Sequence, residues 1–79
     1  MRVRLRFFAA LREQMGARAE REVTPGTKVG ALWRALVDEH PGLGRVRVRF
    51  AVNAEYVGAA HPLADGDEVA FFPPVSGGR

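Results

Sequence analysis

The last nine residues, FFPPVSGGR (residues 71–79), are where residue type and order suggest chemistry. Glycine offers only its backbone, but at a terminus it also offers an unhindered α-carboxylate. A carboxylate can attack the α-phosphate of ATP to give an acyl adenylate, which thiolates and amines readily displace. The chain has no cysteine, so any sulfur it carried could not ride on a side-chain thiol. A tail of this type therefore reads as a carried acyl group. Extended, Val75, Ser76, Gly77 and Gly78 span roughly 13 Å, enough to thread a narrow channel and reach a catalytic centre in another protein. Pro73 and Pro74 fix two φ angles and give the segment a stiff base. The competing reading is a frayed end, common for glycine-rich termini; the preceding GDEVAFFPPV favours a working tail.

A tail of this kind needs a body to hold it out. RVRLRFF alternates strictly, placing Val3, Leu5 and Phe7 on one face and Arg2, Arg4 and Arg6 on the other, as in a half-buried strand. AALREQMG reads as a short helix stopped by Gly16, and ARAEREV as an edge strand. Thr27 is placed as the N-cap of the main helix. Val29, Leu32, Trp33, Leu36 and Val37 then form one apolar stripe, ended by Pro41 and Gly42. RVRVRFAVN predicts another strand, with Val46, Val48, Phe50 and Val52 inward and Arg45, Arg47 and Arg49 outward. EYV reads as a short strand. HPLADGD connects to a last strand, EVAFF, which the two prolines end. One helix on a mixed sheet of 4–5 strands is an α+β domain, and the order matches the ubiquitin-like β-grasp, whose last strand lies centrally beside the first. The expected boundaries are a β-grasp domain over residues 1–74 and a flexible Gly-Gly tail over 75–79.

Size limits the functions available. Seventy-nine residues make one domain that buries about 60–65% of its unfolded surface. That leaves little room for a deep pocket, so no residue is assigned as catalytic. The net charge is +3, and eleven of the twelve basic residues are arginine. The arginine rows could serve an acidic partner or RNA, but a solvated face paired with Glu20, Glu22 and Glu68 is the simpler reading. Nucleic-acid binding would add stacking aromatics among the basic residues, and only Phe72 qualifies. No metal site is expected: Asp65, Asp67 and Glu68 read as a turn into a strand, and His40 and His61 are isolated. With no disulfide, no signal-peptide core and no apolar run of about 20 residues, the expected location is cytoplasmic, off the membrane.

FFAALRE after the first strand, AVN after the third, and HPLADGDEVAFFPPVSGG at the end together resemble the MoaD family, the sulfur-carrying small subunits of molybdopterin synthase. The resemblance runs over essentially the whole chain and implies a cycle. An E1-like enzyme uses ATP to adenylate Gly78, and a persulfide donor converts it to a thiocarboxylate. The tail then enters the large subunit, where sulfur passes to a pyranopterin precursor of the molybdenum cofactor. No cofactor is bound stably, and the catalytic side chains belong to the partners. By position, the resemblance also implies that Phe8, Phe72, Pro73 and Pro74 dock the partner; strand parity agrees, since Phe8 and Phe72 oppose Phe7 and Phe71. Arg12 and Glu13 match the family's RE pair, and either fix the short helix or touch a partner. One departure is Arg79, which keeps the Gly78 carboxyl tied up as an amide, so its removal by processing is expected. Two alternatives stay open: a β-grasp carrier for another acceptor, in tRNA thiolation or thiamine thiazole synthesis, and a non-covalent interaction module.

Overall fold

The strict alternation of the first strand survives intact in the structure, a computed structural model that describes residues 1–73. The expectations placed on Pro74, Val75, Ser76, Gly77, Gly78 and Arg79 fall outside those residues. In β1 (Arg2–Phe7), Val3, Leu5 and Phe7 are buried while Arg2 and Arg4 face solvent. A short helix α1 (Ala10–Met15) buries Leu11 and stops at Gly16, whose φ of 81° needs no Cβ. Then β2 (Arg18–Glu22) returns antiparallel to β1 as a sheet edge. The main helix α2 (Val29–Glu39) follows, then a 3₁₀ turn (Pro41–Arg45), β3 (Arg49–Val52), β4 (Glu55–Val57) and β5 (Glu68–Phe72). The sheet order is β2-β1-β5-β3-β4, with β5 parallel to β1 and antiparallel to β3. This is the β-grasp arrangement, with the last strand central.

The core lies between the inner sheet face and α2. Val29, Leu32 and Leu36 of the stripe are buried, with Trp33 and Val37 packed at its margin. Phe71 is the hub: its ring stacks on Phe7 at 5.5 Å, meets Trp33 at 5.2 Å and takes Phe50 edge-on at 5.8 Å. Trp33 is thus a packing residue. No polar or charged side chain is buried among the described residues, so this core carries no unpaired-group penalty. At the rim, the two terminal guanidinium nitrogens of Arg21 donate to the Glu39 carboxylate, tying the β2 edge to the end of α2. That hydrogen bond, more than the charge itself, holds the Glu39 carboxyl below its ordinary pKa.

Two expectations need correction. Thr27 does not cap α2. The N-cap is Lys28, and the Thr27 hydroxyl instead donates to the Thr24 carbonyl at 2.7 Å. The first helical N–H groups find tertiary partners: Val29 N donates to His61 O and Gly30 N to Ala59 O, both at 2.9 Å. A passing loop satisfies donors that a side-chain cap would otherwise take. It runs so close that a Cβ on Gly30 would sit 2.7 Å from the Ala59 Cβ and 3.1 Å from its carbonyl. Gly30→Ala is therefore expected to cost about 1–3 kcal/mol, the usual range for overpacking, despite alanine's better helix propensity. Urea unfolding measures this, and an unchanged or raised midpoint would mean the loop yields freely.

The third strand is the second correction. Val46 and Val48 keep their inward parity and pack against the core, yet β3 begins only at Arg49. Its partner sets the limit: Arg49 pairs with Phe72, the next residue is Pro73, and proline has no N–H to extend the ladder. Upstream, Pro41–Arg45 wind into the 3₁₀ turn to bury Leu43. The arginine row expected at Arg45, Arg47 and Arg49 therefore shrinks to Arg49 within the sheet.

Candidate functional site

The site is where β5 hands the chain out of the sheet. Phe71 points in and Phe72 points out, as period-2 geometry demands. Phe8 follows directly after β1 and shares the outer face; its N–H donates to Phe71 O at 3.2 Å, and its ring is 37% exposed. The two rings meet edge to face at 6.1 Å. Pro73, half-buried, comes next. The structure thus brings together the expected docking residues Phe8, Phe72 and Pro73, while Pro74 and Gly78, the expected point of attachment, lie outside the described residues.

One member of this face escaped the sequence reading. Tyr56 of β4 is 70% exposed and packs on Phe72 at 5.4 Å. Its place follows from register: Tyr56 lies opposite Ala51, Ala51 opposite Ala70, and Ala70 opposite Arg6. The parity of EYV held the signal, since Val57 pairs with the inward Phe50 and its neighbour must then face out. Phe8, Phe72 and Tyr56 make an aromatic row across the tail end of the sheet. Two cations flank it, the Arg6 guanidinium 5.1 Å over the Phe8 ring and that of Arg49 5.2 Å over Tyr56. Exposed contacts of this kind contribute about 0.5–1 kcal/mol each, enough to favour an orientation.

The other singled-out residues have structural work. The Asp67 carboxylate accepts from Asn53 Nδ2 at 2.9 Å and from Ala64 N at 2.8 Å, while that of Asp65 accepts from Arg2 N at 2.9 Å. These carboxylates fasten the turn into β5. Glu68 begins the strand, its N–H donating to Asn53 Oδ1 at 3.0 Å. His61 lends its carbonyl to α2, and His40 is that helix's C-cap. Arg12 and Glu13 are exposed on α1 and touch no part of the aromatic row by hydrogen bond or ion pair among the described residues. At the far end of β1, Arg2 sits between Glu20 and Glu22 at 3.0 and 3.3 Å. The hydrogen bond to Glu20 is the main reason its guanidinium pKa is raised. The expected pairing of Glu20 and Glu22 with the first strand is present.

Similar proteins match this chain over nearly its whole length. A molybdopterin synthase sulfur carrier subunit of Mycobacterium tuberculosis is 42% identical over 82 residues, covering 99% of both chains. Small archaeal modifier protein 3 of Haloferax volcanii is 38% identical over 92 residues, covering 99% of this chain and all of the relative. Among solved structures, a chain from the complex of subunits 1 and 2 of molybdopterin-converting factor of Helicobacter pylori superposes with a TM-score of 0.70. It is 30% identical, and the match covers 99% of this chain and all of that one. The ThiS family model matches residues 5–78, from the first core strand through the Gly-Gly pair, and the chain belongs to the ThiS family.

Proposed function

We propose that the chain is the sulfur-carrying small subunit of a molybdopterin synthase. Gly78 is activated by ATP on an E1-like enzyme, with pyrophosphate leaving. The terminal sulfur of a persulfide donor then displaces AMP to give an acyl disulfide, and a thiol attacks the donor-side sulfur of that bond, leaving a thiocarboxylate on Gly78 and a disulfide between the thiol and the donor. The loaded tail enters the large subunit, which supplies the catalytic side chains, and delivers sulfur to the pyranopterin precursor. Arg79 is removed first, because an amide at Gly78 cannot attack ATP. The cycle runs in the cytoplasm; no helix among the described residues is long and apolar enough to cross a membrane.

The observation that carries this reading is the position of β5. A strand paired on both sides releases the chain at Pro73 beside a row of aromatic rings. Only four residues separate that point from Gly78. Rings of this kind, central to a contact, are typical anchors of binding energy. The named relatives and the two-subunit complex support the same assignment. A second reading keeps the acyl chemistry and changes the acceptor, and the likeness to a small archaeal modifier protein favours it.

Reconstitution with the E1-like enzyme, ATP and a sulfur source tests both. Mass spectrometry of the tail should show one oxygen replaced by sulfur at Gly78. Adding the large subunit and precursor should then discharge it. Loading without discharge would move the protein to the second reading, and no loading of a chain ending at Gly78 would remove both.

A further inference from the structure

Charge is distributed unevenly along the outer sheet face. Away from the tail, arginines and glutamates alternate: Arg2 lies opposite Glu22, and Arg4 lies opposite both Glu20 and Glu68. Two arginines there face three carboxylates. At the tail end the pattern breaks. Arg6 lies directly opposite Arg18, and Arg49 lies opposite Phe72. None of these three is within ion-pairing distance of a carboxylate among the described residues. Like charges facing each other across a strand pair destabilise a sheet, so the Arg6–Arg18 pair costs the domain something in isolation. Arg6 and Arg49 are held instead by aromatic faces. That arrangement fixes where the guanidinium groups sit and leaves their N–H donors open.

Resting on the carrier reading, we propose that the protein receiving the tail presents carboxylates to Arg6, Arg18 and Arg49. These pairs surround the apolar seat taken by Phe8, Phe72 and Tyr56 and steer the carrier in tail first. The charge difference along the face orients the approach, because a partner with an acidic rim attracts the tail end and is neutral or repulsive to the other. The aromatic row then sets the lifetime of the complex. Steering raises association rates and is screened by salt, whereas burial of rings acts mainly on dissociation.

The test is stopped-flow association with the large subunit of the same organism. Wild type is compared with the triple variants R6Q/R18Q/R49Q and R6K/R18K/R49K. Between roughly 0.02 and 0.5 M salt, wild-type association should slow about tenfold or more. The glutamine variant should start slow at low salt by a similar factor, respond little to salt, and dissociate nearly as wild type does. The lysine variant keeps the charge and should keep the fast phase. A cooperative thermal transition for the glutamine variant, with its midpoint well above the assay temperature, would show that slow association is not misfolding.

Wild-type binding that ignores salt, or a glutamine variant as fast as wild type, overturns the inference and leaves the carrier reading standing. A wild-type protein that neither binds the large subunit nor loads sulfur at any salt overturns both. Retardation of tRNA that depends on these arginines, with large-subunit association unaffected by their loss, would assign the surface to RNA and overturn the proposal.

Discussion

Gly77→Val and Gly78→Val should each leave the unfolding curve where it is and bring sulfur loading or delivery to background. Among the described residues, every member of the buried core lies between Val3 and Phe71, and a flexible tail is expected to add little to the domain's stability. The chemistry has the opposite sensitivity. In the proposed cycle, adenylation needs the Gly78 carboxylate in line with the α-phosphorus, and delivery needs the same carbon in a second protein's centre. Displacement of a reacting group by about 1 Å can cost on the order of 100-fold in rate. A β-branched side chain also restricts the extended, narrow conformations that glycine adopts freely. Each step should fall by at least that factor, and a cycle using both should fall further. The checks are mass spectrometry of the tail after reconstitution and a thermal scan of each variant. A fall of several degrees in midpoint, as about 1 kcal/mol gives in a domain this small, would make the glycines part of the fold. Intact-mass measurement of protein from its native cell should also show a species lacking Arg79.

Adjacent phenylalanines should separate stability from docking. Phe71→Ala removes the ring on which Phe7, Trp33 and Phe50 converge. Deleting a buried aromatic costs about 3–5 kcal/mol. A domain of this size is stable by only a few kcal/mol, so this variant should be largely unfolded at room temperature by circular dichroism. Phe72→Ala, one residue on and facing out, loses edge contacts with Phe8 and Tyr56 worth about 0.5–1.5 kcal/mol each at most. It should fold, yet bind the large subunit at least tenfold more weakly, as loss of an interface anchor does. Were Phe72→Ala to bind as wild type does, the aromatic row would not be the docking face. Were Phe71→Ala to remain folded with an unchanged midpoint, the core would be centred elsewhere.

Side-chain parity explains why so much of this was legible. The period-2 alternation of RVRLRFF and the single stripe on α2 each state which residues must be buried, and burial follows the hydrophobic effect with little competition. Pro73 ends β5 for a reason visible in the residue itself. What could not be read is how far a ladder runs and which loop lies beside which helix. Val46 and Val48 alternate as a strand does, but pairing needs a partner with donors, and Pro73, next after Phe72 on the partner strand, has no N–H to give. Thr27 is a good cap by type, yet the carbonyls of Ala59 and His61 took its place from thirty residues away, beyond the reach of local pattern. The β3–β4 hairpin turns on Asn53 and Ala54 at φ of 52° and 71°. Primed turns of that kind favour glycine at the second position, so the sequence gives no strong sign of a tight hairpin. The outward role of Tyr56 depends on that turn, which fixes the register of β4.

The tail emerges from a strand bonded on both flanks, parallel to β1 and antiparallel to β3, while the amino terminus is anchored at the opposite end by Met1 N donating to Val23 O at 2.9 Å. Tension applied between the two chain ends therefore runs along β1 and β5 in shear. All rungs between them bear load together and none can peel singly. A machine pulling on the end of the chain would therefore meet a mechanical clamp, and the body should resist such a pull better than a domain whose strands unzip one rung at a time.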